Sequence, residues 1–148
     1  AFCYLLDQLR SRFSRKPGND ELFDALAELC AQVREYGMFN MILSDGNVMF
    51  AHASTLLHYI VRQPPFGHAH LVDEDLEIDF STVTTPDDRV AVITTLPLTD
   101  NEIWQQLACN ELVMFENGQI VRRHCPEPPV YLTREQGLEL ARRAGVSY

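Results

Sequence analysis

Two dipeptides constrain this chain more than anything else in it. Asp45-Gly46 sits in the middle of MFNMILSDGNVMFAHAS, and Asn117-Gly118 in the middle of ELVMFENGQIVRRH. Each has apolar, strand-prone residues on both sides. Tight hairpin turns need positive φ, which Gly adopts without steric cost and Asn or Asp tolerates. Both stretches are therefore expected to fold back as antiparallel hairpins. Further strands follow from the same pattern. TLLHYIVR is ended by QPPFG, whose paired prolines cannot continue a central strand. HAHLV and LEIDF are short and separated by acid, and RVAVITTL is a nearly continuous β-branched run, expected to be buried on both faces.

Helical signals lie outside this block. Phe2, Leu5, Leu6, Leu9 and Phe13 recur as the stripe of an amphipathic helix. After the turn KPGND, ELFDALAELCAQVREYG carries Leu22, Leu26, Leu29, Cys30 and Val33 on one face, with Asn19 or Asp20 to cap it and Gly37 to close it. LTREQGLELARRAG has Thr133 and Gln136 at capping-box spacing and Gly145 as a stop. The division is a helical hairpin over 1–37, antiparallel strands over 38–125, and a tail with a short helix over 126–148. Segregated helices and strands predict the α+β class. Several strands are apolar on both faces, as though a second layer lay behind them.

Charge and composition exclude some functions. The 148 residues carry 21 acidic against 12 basic side chains, a net charge of −9, the wrong sign for a chain that grips phosphates. No apolar run is long enough to cross a bilayer, and Asp7 interrupts the first one. Neither a nucleic acid nor a membrane is expected as a partner. The four cysteines stand far apart with no C-x-x-C pair, which fits a reducing, cytoplasmic setting.

Three groups of residues carry possible chemistry. His68 and His70 point to the same face of a strand, and with Asp73 or Asp75 they could hold zinc, although no third ligand stands at a fixed spacing. Cys3, Cys109 or Cys125 could pair with a distant histidine. In ITTLPLTDNEIW a buried strand ends in Thr94, Thr95, Pro97, Thr99, Asp100, Asn101 and Glu102, polar groups at the mouth of a sheet. The alternative is a polar loop in which Asp100 caps a helical turn with Ile103, Trp104 and Leu107. Glycine-rich phosphate loops, serine elbows and paired-carboxylate signatures are absent. The residues alone give a fold class and no reaction.

Taken in order, FNMILSDGNVMFAHAS, PPFGHAHLVDEDLEIDFS, VAVITTLPLTDNEIW and ELVMFENGQIV resemble the second half of class II glutamine amidotransferases, in their YafJ-like branch. The resemblance runs from residue 1 to about 121, and the tail after Pro126 lies outside it. It implies the fold of the N-terminal nucleophile hydrolases, a four-layer αββα sandwich of two antiparallel sheets with outer helices, which accounts for strands apolar on two faces. It also implies hydrolysis of the glutamine side-chain amide by an N-terminal cysteine whose own α-amine moves the proton, with an Asn-Gly pair at the oxyanion. An arginine and an aspartate would hold the glutamine backbone groups.

None of the family's Met-Cys, His-Asn-Gly or Thr-Asp-Ser motifs matches a position here. The resemblance therefore implies the C-terminal portion of a single amidotransferase domain, with the catalytic half upstream or on a separate chain. By that reading AFCYLLDQLRSRF is the body of an internal helix and Cys3 a helix-packing residue. This chain would have no catalytic residue and no cofactor and would be inactive alone. The substrate would be glutamine or a γ-glutamyl compound, and the residues nearest to it Thr95, Asn101 and Glu102. The competing expectation is a noncatalytic α+β binding or assembly module, with metal held through His68 and His70.

Overall fold

The computed structural model describes residues 1–145. Helices α1 (Phe2–Arg12) and α2 (Asn19–Arg34) come first. Strands β1 (Met41–Ser44), β2 (Val48–Ala53), β3 (His58–Arg62), β4 (His68–His70), β5 (Glu77–Asp79), β6 (Val90–Thr94), β7 (Gln105–Gln106), β8 (Glu111–Glu116) and β9 (Gln119–His124) follow, then helix α3 (Arg134–Arg143). The fold is α+β, and every strand pairing is antiparallel.

The two expected hairpins build the larger sheet, ordered β1-β2-β8-β9. Asn117 and Gly118 both take positive φ, 50° and 73°. A side chain at Gly118 would meet the Arg89 carbonyl oxygen at 2.5 Å, so only glycine fits there. The first hairpin turns through Asp45, whose carboxylate accepts the N–H groups of Asn47 and Val48 at 2.9 and 3.0 Å. The Lys16 ammonium, 2.8 Å away, and these backbone donors lower the Asp45 pKa to about 2.

Period-two alternation then sorts side chains between two cores. Val48, Phe50, Leu112 and Met114 face the helices and pack on Leu22, Phe23 and Leu26. Ala51, Ala53, Val113 and Phe115 face the other way and pack on Leu57, Tyr59 and Leu107. That second core joins the larger sheet to a smaller one, ordered β6-β3-β7. Helix, sheet and sheet are thus stacked as the resemblance implies, and strands apolar on both faces are those of the middle layer.

Three expectations change. RVAVITTL is not buried on both faces, because β6 is the edge of the smaller sheet and pairs only with β3. Ala91 and Ile93 pack inward, while Val90 is 45% exposed. The first helix buries only Leu5 of its stripe. It leans on α2 through Tyr4 to Gln32 and Arg12 to Glu28, which leaves Phe2 and Cys3 exposed. Cys3 is therefore not a packing residue. Gly18, not Asn19 or Asp20, caps α2, and its N–H is accepted by the Glu21 carboxylate at 2.9 Å. The capping box of α3 forms as spaced, with Gln136 N–H to Thr133 Oγ1 at 3.2 Å and the reciprocal bond at 2.9 Å. No described helix is long and apolar enough to cross a membrane.

Candidate functional site

The polar stretch after β6 contains no helical turn. Residues 97–104 run as an irregular loop into β7, and side chains from three directions pin it. Glu102 takes the Arg62 guanidinium in a two-point grip, Nε to Oε1 at 2.7 Å and Nη2 to Oε2 at 2.5 Å. Thr99 donates its hydroxyl to the same Oε2 at 2.6 Å and accepts the Trp104 indole N–H at 2.9 Å. The Arg62 guanidinium lies over the Phe80 ring, 4.4 Å from its centroid. Hydrogen bonds from Arg62, then Thr99, hold the Glu102 carboxyl below the usual range against the cost of its partial burial.

Asn101 does different work in the same loop. Its side-chain oxygen accepts the His70 N–H at 2.9 Å, and its amide donates to the His68 carbonyl at 3.1 Å. Together with the Leu71–Thr99 bridge and the Val72 N–H to Leu98 carbonyl bond, this fastens the β4–β5 hairpin to the loop. Thr95 stands apart. Its carbonyl meets His58 Nδ1 at 2.8 Å, and it lines a cavity of about 140 Å³ with Asn40, Leu56 and Gly137 of α3. Glu102 and Arg62 line a different cavity, about 250 Å³, with Phe66, His68 and Phe80. The structure thus joins Asn101 and Glu102 in one network and gives Thr95 another neighbourhood.

His68 and His70 are occupied by carboxylates. His70 Nδ1 is 3.0 Å from Asp100 and its Nε2 is 3.6 Å from Asp75; the hydrogen bond and charge of Asp100 chiefly raise its pKa. His68 approaches Glu77 at 3.3 Å. Among the described residues no group of three His, Cys, Asp or Glu side chains is placed to hold a metal ion. Of the two carboxylates expected as zinc ligands, Asp75 stands beside His70 as an ion-pair partner and Asp73 meets neither histidine.

Cys30, Cys109 and Cys125 are poor nucleophiles. Burial raises the Cys30 pKa to about 12 and pushes Cys109 up as well. Burial and then the Glu111 charge push Cys125 up. A thiol held protonated does not attack.

Several polar residues were missed by sequence reasoning. Glu111, 2% exposed, accepts the Ala108 N–H at 2.8 Å and stands 3.3 Å from the Arg123 guanidinium. Arg123 donates to the Tyr59 hydroxyl at 2.9 Å, and Tyr59 donates to Gln105. The available signal was a lone charge at the end of an apolar strand: Arg62 closing HYIVR, Glu111 opening ELVMFE. Such charges imply a partner without saying which one.

The family model described as "Glutamine amidotransferases class-II" matches residues 1–136. A protein of Escherichia coli K12 named as a glutamine amidotransferase, YafJ, is 50% identical over 122 residues, which is 82% of this chain and 48% of that one. A Haemophilus influenzae protein named in the same way is 44% identical over 80% of this chain and 40% of its own length. The 2.0 Å crystal structure of a predicted glutamine amidotransferase from Pseudomonas aeruginosa superposes with a TM-score of 0.72 at 42% identity, covering 82% of this chain and 48% of that one. The chain spans about half the length, or less, of these relatives.

Proposed function

The chain belongs to the class II glutamine amidotransferases, and on that premise we propose that it is the scaffold portion of one such domain. The complete domain hydrolyses the side-chain amide of glutamine, or of another γ-glutamyl compound, and supplies ammonia. The nucleophile and its oxyanion donors belong to the upstream half, carried on the same polypeptide or on a second one. This chain contributes the helical hairpin, the doubly covered sheet and part of the pocket wall, in a cytoplasmic enzyme that uses no cofactor. Thr95, Asn101 and Glu102 are its groups nearest the substrate, with Arg62 holding Glu102 in position.

The observation that carries this reading is the free edge of β6. Val90–Thr94 pairs on one side only, and its inward residues Ala91 and Ile93 are only partly buried. An apolar edge with unmet backbone groups is a template for another strand. The state of the thiols supports the same reading, since burial holds Cys30 and Cys109 protonated. Cys3 follows Ala1 and Phe2, so its nitrogen is an amide and not a free amine.

Ammonia release from glutamine tests the proposal. The 148-residue chain alone is expected to release none. Joined to the N-terminal portion of the Escherichia coli relative, it is expected to release ammonia in stoichiometric amounts with glutamate. Release by the chain alone would overturn the placement of the nucleophile. A folded fusion that is silent toward both glutamine and γ-glutamyl peptides would overturn the reaction itself.

A further inference from the structure

Helix α3 rests on the body of the protein unlike the other two helices. Gly137 is its only buried residue, with Leu138, Leu140 and Ala141 half-buried around it. By contrast α2 buries six residues, and α1 is bound to α2 through Tyr4 and Arg12. Among the described residues, the hydrogen bonds and ion pairs of α3 side chains stay within the helix and its cap: Thr133 with Gln136, and Glu139 with Arg142 and Arg143. The chain before it is fastened as far as Leu132. The Val130 carbonyl accepts the Cys109 N–H at 2.7 Å, and the Leu132 carbonyl accepts the Gln106 side-chain amide at 2.9 Å. Thr133, extended at φ −69° and ψ 161°, is the joint at which a self-contained helix begins. This helix lies almost wholly beyond the residues that match the family.

The seat of α3 is built without it. The Asn40 side-chain oxygen accepts the N–H groups of Ser54 and Thr55 at 3.0 and 3.1 Å, and its amide donates to the Leu56 carbonyl at 2.9 Å. Ser54 Oγ accepts the Phe39 N–H at 2.7 Å. These bonds shape the corner between β2 and β3 whether or not a helix covers it. One close contact joins helix and seat. A Cβ at position 137 would lie 2.2 Å from Leu56 Cδ1 and 2.3 Å from its Cγ. Gly137 does not take positive φ, so lack of space, not backbone conformation, calls for glycine inside a helix it otherwise weakens. Around that contact the fit is loose. The cavity of about 140 Å³ that Thr95 lines lies between Asn40 and Leu56 on one side and Leu138 and Ala141 on the other.

We propose that α3 is a releasable latch. It turns about Thr133 between a seated position, with Gly137 against Leu56, and a released one that bares the groove of Phe39, Asn40, Leu56 and Leu96 and opens the Thr95 cavity. A helix of 10 residues is too short to persist alone in water, so α3 frays on release and the seat is what keeps it folded. Elements that move are drawn from the parts of a protein with few buried apolar contacts, and a helix seated on one glycine is such a part. The consequence for the reaction rests on the reading of Thr95 as part of the pocket wall: seated, α3 narrows the approach to Thr95, and released, it widens it. The motion itself does not depend on that reading.

Amide exchange of the full chain at pH 7, read residue by residue, tests the latch. Amides of Leu138 to Arg143 are expected to exchange at least about 100-fold faster than those of β8, and at least about tenfold slower than an unfolded chain. Gly137→Ala then sets two effects of opposite sign against each other. Helix propensity alone would slow α3 exchange about fivefold. Crowding against Leu56 is expected to speed it about tenfold or more instead, with β8 unchanged as the sign that the body stays folded. Protection of α3 equal to that of β8 would make it a fixed part of the body and overturn the proposal. Exchange at the unfolded-chain rate would overturn it by leaving no seated state, and a Gly137→Ala rate that is unchanged or slower would overturn the Leu56 contact as the catch. In the fusion with the N-terminal portion of the Escherichia coli relative, Gly137→Ala is expected to raise kcat/KM for glutamine about twofold or more. An active fusion indifferent to the substitution would overturn the gating of the pocket. A silent fusion would count against the glutaminase reading, and the exchange rates would still decide the latch.

Discussion

Strands β2 and β3 are both central in their sheets, yet only β2 is covered on both faces. Five of its six residues are buried, whereas β3 buries Tyr59 alone. The helix-facing half of β2 gives Val48, Phe50 and His52 to one core, and its other half gives Ala51 and Ala53 to the second. In β3, Tyr59 and Val61 face that second core, while Ile60 and Arg62 line the surface cavity on the other side. Sequence character does not separate the two strands, since VMFAHA and HYIVR are similarly apolar. The difference is what lies behind each one. The larger sheet is stabilised from within the chain, while the smaller sheet is tied down by polar contacts at its ends and by one apolar face.

The sharpest break in this comparison comes from truncating one central side chain in each sheet. Phe50, 0% exposed, packs on Phe23 with ring centroids 6.5 Å apart. Phe50→Ala is expected to cost about 3–5 kcal/mol through lost burial and the cavity it leaves. Ile60→Ala on the outward side of β3 should cost under about 1 kcal/mol in the chain alone. Urea unfolding of the two variants measures both. Equal losses would mean that the outward face of the smaller sheet is already covered within this chain.

The polar ties of the smaller sheet come next in size. Glu102→Gln keeps the shape but removes the charge that holds Arg62. The pair is about one-sixth exposed, at 16% for each side chain, so screening reduces the loss to roughly 1–2 kcal/mol. Because the carboxyl is held below its ordinary pKa, its contribution is complete above the unfolded value, near 4.3, and disappears as pH falls through the folded one. Acid unfolding of the wild type should therefore carry a component that Glu102→Gln lacks. The Asn101→Ala change is smaller, about 1 kcal/mol, and local. Amide exchange of His70 should accelerate while that of Phe50 does not, since Asn101 accepts only the His70 N–H.

What the sequence made legible divides along the same line. Features set by neighbours in the chain were readable: the Asn117-Gly118 turn, the Thr133–Gln136 capping box, and the stripe Leu22, Leu26, Leu29, Cys30. Features set by position in the assembled sheet were not. RVAVITTL has the composition of a doubly buried strand, but being an edge is a property of strand order, and nothing within those residues encodes it. The Arg62–Glu102 pair spans 40 residues of chain, and its members looked like a strand-end charge and a loop acid. In sequence Asn101 reads as a polar group at a strand end; its clamping of a hairpin depends on β4 lying beside it. His52, in the apolar alternation of VMFAHA, gave no sign that its nitrogens would be left without partners.

The smallest expected effect probes the outermost tie. His70 links the acidic β4–β5 hairpin to the 97–104 loop through Asp100, with Asp75 on its other nitrogen. Both carboxylates favour the imidazolium, so the folded pKa is raised above the unfolded value of about 6.5. A raised pKa places the sign unambiguously. The stabilisation is fully present below the unfolded pKa and is lost as pH rises through the folded one. Amide protection in the hairpin, corrected for the intrinsic rate, should fall across the range above about pH 6.5, while protection of Phe50 in the larger sheet stays level. In His70→Gln the hairpin should lose this dependence and keep the Asn101 bonds, which use only its backbone. A pH response that survives the substitution would remove His70 as its source and would make the tie a property of β4 pairing with β5.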